Sequence, residues 1–179
     1  MGSEMKSEID LEEDKNGCKE KTWYEEERGE DDSECCVIES ILDKIYKDDA
    51  MILKPAEYFE IDRCNRDMFE MGYPALPSEY VDLLMIANGF AWQGIEFFGT
   101  YTATNTETGF VLNDIVHENH DVRQRKAPSD TIFIIGTEDE FYFIFDYKDL
   151  KYKTIDKLTL LEAEEYESLD DLIEKNIRV

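Results

Sequence analysis

The sequence has few positive charges. It contains 19 lysine and arginine residues against 44 aspartate and glutamate residues, and its formal net charge is −25. A negative field of this size disfavours nucleic-acid phosphates and anionic membranes as partners, and it attracts basic proteins. The alternative interpretation is that the charge serves solubility alone. We therefore expect neither nucleic acid nor a membrane as a partner, whereas the charge by itself identifies no protein.

Long apolar runs and ordered cysteine patterns are also absent. No apolar run approaches the roughly 18–20 residues that span a bilayer, and the acidic first residues lack the features of a secretory signal. We therefore expect a cytoplasmic protein. No two cysteines form a C-x-x-C pair, which favours free thiols over a zinc site or a disulfide framework. The four cysteines are Cys18, Cys35, Cys36 and Cys64.

Residues that commonly carry catalysis are scarce. The motifs G-x-S-x-G, G-x-G-x-x-G and H-E-x-x-H do not occur, nor does a P-loop. The two histidines, His117 and His120, would lie on one side of a helix, where Glu118 or Asp121 could complete a metal site. A solvent-exposed pair at the end of a short helix explains the same residues and is favoured. We therefore expect no enzyme activity and no cofactor, with a metal-dependent enzyme as a remote alternative.

The chain does contain enough apolar and aromatic residues for one domain of ordinary size. Hydrophobic residues make up 42% of it, including ten phenylalanines and ten tyrosines. Residues 1–34 differ, because fourteen acidic residues there face five basic ones, a net charge of −9, with Trp23 and Tyr24 as the large aromatic anchors. We expect residues 1–34 to form a mobile acidic leader and residues 35–179 to form a single domain.

The clearest predicted element is a helix in the segment LPSEYVDLLMIANGF, residues 76–90. Pro77 suits the first helical position, and Asn88-Gly89 indicates the end of the helix, because glycine readily adopts the left-handed conformation found there. A short strand is predicted to follow at residues 95–98. The apolar residues that repeat at helical spacing are Tyr80, Leu83, Leu84 and Ala87.

The remaining pattern predicts an α+β fold. Helical spacing indicates further helices from Ser33 to Tyr46, from Ala56 to Met71, from 110 to 119, and after Ser168. Strands are predicted at 131–135, 141–146, 150–155 and 158–161, and the polar, basic segment DVRQRKAPSD is predicted to end in a proline-containing turn. The N-terminal helices and the C-terminal helix should then pack on a mainly antiparallel or mixed sheet of about five to six strands.

The segment LPSEYVDLLMIANGF, followed by IEFFGT, resembles the signature of the SUKH superfamily. The stretches TIFIIGTEDEFYFIFD and ESLDDLIEKNI resemble its paired strands and its closing helix, so the similarity covers roughly residues 35–177. The superfamily includes yeast cell-wall-synthesis regulators and bacterial immunity proteins. The resemblance implies a non-enzymatic immunity protein that neutralises a toxin by direct binding, with a basic toxin domain as its partner. An intracellular scaffold or signalling adaptor is the alternative that it implies.

The residues predicted to bind the partner are Trp92, Glu138, Asp139 and Glu140. The three acidic residues should lie at the top of a turn between strands, where they display negative charge. Trp92 follows the predicted helix end, and tryptophan is favoured at interface hot spots. The alternative interpretation is that Trp92 is a core residue that caps the sheet, and that the acidic residues form a solvated surface.

Overall fold

The computed structural model describes residues 37–126 and 129–178, and the predicted leader 1–34 lies outside these residues. The described residues form five helices and nine strands. Their order along the chain is α1 (Val37–Tyr46), β1 (Met51–Ile52), α2 (Tyr58–Glu70), α3 (Ser78–Ile86), β2 (Phe90–Trp92), β3 (Ile95–Phe97), β4 (Ala103–Thr104), β5 (Val111–Leu112), α4 (Ile115–Lys126), β6 (Ile132–Thr137), β7 (Phe141–Asp146), β8 (Lys151–Asp156), β9 (Glu162–Tyr166) and α5 (Leu169–Asn176).

Seven of these strands form one sheet in the order β1-β2-β3-β6-β7-β8-β9, with every neighbouring pair antiparallel. Strands β4 and β5 form a separate pair. The predicted α+β class is therefore confirmed, but the main sheet has more strands than the five to six expected. No helix in the described ranges is long and apolar enough to cross a membrane.

Helix α3 lies in the core, and its end is fixed by two glycines. The predicted apolar residues of α3 are fully buried. The backbone becomes extended at Ala87, and Gly89 then adopts a φ of +91°. A Cβ atom at Gly89 would lie 2.6 Å from the backbone nitrogen of Gly99, and one at Gly99 would lie 2.1 Å from the carbonyl oxygen of Asn88. The Asn-Gly signal therefore marks a close approach of two backbone segments, just beyond the end of the helix.

The Asn88 side chain strengthens the same junction. Its Oδ1 accepts a hydrogen bond of 2.8 Å from the Thr100 backbone, and its Nδ2 donates one of 2.8 Å to the Thr100 hydroxyl. From α3, the Tyr80 hydroxyl reaches the carbonyl oxygens of Phe98 and Ile135, the latter at 2.9 Å. Since all of these groups are buried, the hydrogen bonds fix α3 relative to the strands β3 and β6.

The register of the sheet separates two faces. Phe90 pairs with Phe97, and Gly136 pairs with both Phe97 and Phe143, so the three phenylalanines share one face. Their rings stack, with centroids 4.9 Å apart for Phe90 and Phe97 and 5.2 Å apart for Phe97 and Phe143. Residues in the alternating positions, such as Ala91 and Glu96, lie on the opposite face.

Helix α4 takes the place of a strand beside β6. Strand β3 pairs with β6 only at Gly136 and Thr137. Farther along β6, the Asn119 side chain donates a hydrogen bond of 2.7 Å to the Ile134 carbonyl and accepts one of 2.9 Å from the Ile134 N–H. Helix α4 runs through Lys126, well beyond the predicted end at 119, and so includes the start of the basic segment. The turn predicted at the end of that segment contains Pro128, which lies outside the described residues.

Two other predictions fail for identifiable reasons. The strand predicted at 158–161 is a turn, in which the Asp156 carboxylate accepts hydrogen bonds from the backbone of Leu158 and Thr159. In α2, Cys64 and Met68 are buried as predicted, but Phe59 and Phe69 are 61% and 74% exposed. The buried face of α2 follows the spacing of Ile61, Cys64 and Met68, and this spacing leaves the two phenylalanines outside.

Candidate functional site

The predicted acidic residues lie on the turn between β6 and β7. The backbone of Glu138 and Phe141 closes this turn with reciprocal hydrogen bonds of 2.9 and 3.2 Å. Asp139 and Glu140 are exposed at its tip, and Glu138 is partly buried. The turn therefore holds three carboxylates on a short, closed backbone, as the sequence predicted.

Trp92 lies at the end of β2, and its ring is largely buried. Its residue exposure is 8%, which agrees with the interpretation as a core residue. The next two residues, Gln93 and Gly94, have φ values of +47° and +88°, the pattern of a type I′ turn between antiparallel strands. The Trp92 indole N–H donates a hydrogen bond of 2.9 Å to Asp48, and Gln93 donates one of 2.8 Å to the same oxygen.

These two turns meet at one end of the sheet. A Cβ atom at Gly94 would lie 3.5 Å from a carboxylate oxygen of Asp139. Trp92 and Glu138 line a common groove of about 370 Å³, which Lys175 and Arg178 also line. The structure therefore brings all four predicted residues to this end of the sheet. We call it the acidic end and define its carboxylates as Asp48, Asp49, Glu138, Asp139 and Glu140.

A second groove of about 350 Å³ shares Trp92, Gln93 and Ile95 with the first, and we call it the acidic groove. Its apolar surface comes mainly from the sheet, and no lysine or arginine lines it in the described part of the chain. The lining residues are Asp48, Asp49, Met51, Ala91, Trp92, Gln93, Gly94, Ile95, Glu96, Asn105, Thr108 and Phe110.

Glu96 is a residue of the acidic groove that the sequence analysis did not single out. It is partly buried on β3, and its side chain makes no hydrogen bond or ion pair with any residue that the structure describes. Burial raises the pKa of Glu96, and the Glu118 carboxylate raises it further, while Lys157 acts in the opposite direction. The signal in the sequence is a single carboxylate between Ile95 and Phe97, which an alternating strand turns away from the core.

The opposite wall of the acidic groove is the loop between β4 and β5. Asn105 orders this loop, because its side-chain oxygen accepts hydrogen bonds of 2.9 and 3.1 Å from the backbone of Glu107 and Thr108. Phe110 is the last residue of the loop and is 37% exposed. The acidic groove thus combines carboxylates with an apolar surface between two hydrogen-bonded walls, an arrangement suited to binding a cation that carries apolar groups.

The histidines lie on the exposed surface of α4. His117 Nε2 is 4.0 Å from Asp121, and His120 Nε2 is 2.9 Å from the side-chain nitrogen of Gln124. Within the described ranges, no three histidine, cysteine or acidic side chains form a group that could hold a metal ion. Both histidines are exposed, as the favoured interpretation expects, but they lie in the first half of a helix that continues to Lys126 rather than at its end.

The segments that resemble the SUKH superfamily fold as α3 with β2 and β3, as the hairpin of β6 and β7, and as α5. Membership of the superfamily stays a prediction. The chain matches no protein-family model and no curated protein.

Proposed function

We propose that this protein is a non-enzymatic immunity protein that acts in the cytoplasm and neutralises a toxin by binding its basic domain directly. The observation that supports this proposal most is the convergence of Glu138, Asp139 and Glu140 with Asp48 and Asp49 at the acidic end. A basic protein surface is the partner that complements this charge. Bound there, the protein blocks access to the toxin's active site.

The acidic end is also preorganised for binding. Both turns that form it are closed by the backbone of antiparallel strands, and Asp48 is held by Trp92 and Gln93. Carboxylates held on ordered backbone lose less conformational freedom on binding than those on a free chain. The overall charge of −25 adds long-range attraction, so association with a basic domain is fast at low salt.

Co-expression with the products of neighbouring genes tests this function. A neighbour that carries a toxin domain should stop growth alone and permit growth together with this protein. The triple variant Glu138→Gln, Asp139→Asn, Glu140→Gln should protect less well. A control variant with the same charge change on α2, Asp62→Asn, Asp67→Asn, Glu70→Gln, should protect as the unchanged protein does. The proposal fails if no neighbouring product is toxic or bound.

A scaffold or adaptor is the second candidate, and the surface of α2 favours it. Tyr58, Phe59 and Phe69 are 76%, 61% and 74% exposed on this single helix, and exposed aromatic surface is typical of protein-binding sites. Pull-downs with and without residues 1–34 separate the two functions. An adaptor that uses the leader loses its partners when residues 1–34 are removed, whereas a toxin-binding domain keeps its affinity.

A further inference from the structure

We propose that the acidic groove binds the guanidinium group of an arginine side chain that the partner inserts between β3 and the loop that joins β4 and β5. This inference rests on the proposed binding of a basic protein and specifies the chemistry of one contact. It assigns the central role to Glu96, which lies outside the predicted set of binding residues.

Glu96 is the reason to expect a cation in this groove. Its carboxylate is partly buried and has no hydrogen-bonding or ionic partner in the described part of the chain. A partly desolvated charge without a partner is unfavourable, and an inserted cation would remove this penalty. Lys157 acts on Glu96 electrostatically, but its ammonium group donates a hydrogen bond of 3.1 Å to the Asp139 carbonyl and does not line the groove.

The arrangement of the carboxylates favours an extended cation over a simple metal ion. Asp48, Asp49 and Glu96 all line the groove, yet no three acidic, histidine or cysteine side chains among the described residues are placed to share one ion. The cation must therefore reach separated carboxylates with several donors. A guanidinium group does so, because it presents five N–H donors in a planar fork.

The apolar lining favours arginine over lysine. Met51 and Ala91 form one cross-strand row with Glu96 on the same face of the sheet, and Phe110 lies on the opposite wall. The weakly hydrated face of a guanidinium group stacks well on such a surface, whereas an ammonium group is compact and strongly hydrated. Asp48 also lines the groove, and Trp92 and Gln93 orient its carboxylate by donating to the same one of its two oxygens.

Titration with N-acetyl-arginine amide, followed by NMR of the side-chain carboxylates, tests the site. We expect saturable binding with a dissociation constant of about 1 mM, as is typical of one small contact, and a downward shift of the Glu96 pKa in the complex. N-acetyl-citrulline amide has the same shape without the charge and should not bind measurably at about 10 mM. N-acetyl-lysine amide should bind at least about fivefold more weakly than the arginine amide.

Variants assign the effect to the groove. Glu96→Gln should weaken arginine amide binding at least about fivefold, whereas Glu70→Gln on α2 should leave it unchanged. Lowering the pH should weaken binding, because Glu96 takes up a proton and loses its charge. The charged groups that act on this titration are Glu118 and Lys157 around Glu96, and Asp48 and Asp49 in the groove. Each of three results would overturn the inference. The citrulline amide binds as well as the arginine amide, the lysine amide binds as well as the arginine amide, or Glu96→Gln leaves binding of the arginine amide unchanged.

The failure of this inference can be distinguished from the failure of the proposed immunity function. If the arginine amide does not bind while the toxin domain still depends on Glu138, Asp139 and Glu140, this inference is wrong and the immunity function stands. If the arginine amide binds through Glu96 but no toxin is neutralised, the groove is an arginine site of a protein with another basic partner.

Discussion

The Trp92 indole N–H lies 2.9 Å from the Asp48 carboxylate oxygen, and this hydrogen bond joins the hairpin of β2 and β3 to the end of α1. The ring itself is 8% exposed, so it offers little surface to a partner. Its polar edge instead orients a carboxylate that lines the acidic groove. We infer that Trp92 contributes to binding through Asp48 rather than as an exposed aromatic anchor.

Replacing the indole tests this relationship. Trp92→Phe removes the donor and keeps an aromatic ring, so we expect a loss of about 1 kcal/mol in the free energy of unfolding. Asp48→Ala should lose a similar amount, and the double variant should lose less than the sum, because both changes remove the same hydrogen bond. Urea denaturation of the four proteins measures the coupling. Strict additivity would show that the hydrogen bond has no stabilising effect.

Tyr80→Phe should be destabilising by about 1–2 kcal/mol. The Tyr80 hydroxyl is completely buried against the carbonyl oxygens of Phe98 and Ile135, and its removal leaves buried acceptors without this donor. Tyr58→Phe is the matched control, because Tyr58 is 76% exposed, and it should stay within about 0.5 kcal/mol of the unchanged protein. Equal effects of the two variants in urea denaturation would contradict this assignment.

Glu96→Gln should stabilise the protein at neutral pH but not in acid. The folded state raises the pKa of Glu96 above its ordinary value of 4.5, so folding favours the protonated form. The contribution of Glu96 to stability therefore falls as the pH rises from about the ordinary pKa of a glutamate through the raised pKa of Glu96 in the folded protein. We expect a gain of about 0.5 kcal/mol near pH 7 and none below about pH 4.

Urea denaturation at a series of pH values measures this difference. Glu70→Gln is the control, because this glutamate is exposed on α2, and its curve should follow that of the unchanged protein. A loss of stability in Glu96→Gln at neutral pH would show that the Glu96 carboxylate has a stabilising partner.

Cys64 should be unreactive in the folded protein. Burial, together with the nearby carboxylates of Asp114 and Asp67, raises the pKa of its thiol to about 12. Because the thiolate is the reactive form, iodoacetamide at about pH 8 should modify Cys64 only after unfolding. Peptide mapping of native and urea-treated protein measures the modification. Modification of native Cys64 at the rate of an exposed thiol would contradict the buried position.

Elements with strong local signals could be predicted from the sequence. Ser168 was predicted to cap the last helix, and its hydroxyl accepts a hydrogen bond of 3.1 Å from the Asp171 N–H. The strand at 141–146 was recognisable from its continuous aromatic and apolar residues, and it is β7. The turn at 138–140 followed from the strands on either side. In each case, residues close in sequence determine the structure.

Elements that depend on distant residues could not be predicted. Strand β9 has the sequence EAEEY, a composition with low strand preference, and it forms by pairing with β8. There Glu162 lies 3.1 Å from Lys153, a lysine whose side chain is only 7% exposed. Helix α4 continues beyond its predicted end at 119, and its Asn119 side chain is hydrogen-bonded to the backbone of β6. The acidic groove was missed because its walls come from segments far apart in the sequence.

The central claim is tested most directly by the rate at which this protein associates with the toxin domain that it neutralises, measured as a function of ionic strength. The rate should fall steeply between about 0.05 M and 0.5 M salt, because screening shortens the reach of the acidic end, and dissociation should change much less. Glu138→Gln, Asp139→Asn, Glu140→Gln should slow association, whereas Asp62→Asn, Asp67→Asn, Glu70→Gln on α2 should not. An association rate indifferent to salt, or equally affected by the two triple variants, would contradict binding through the acidic end.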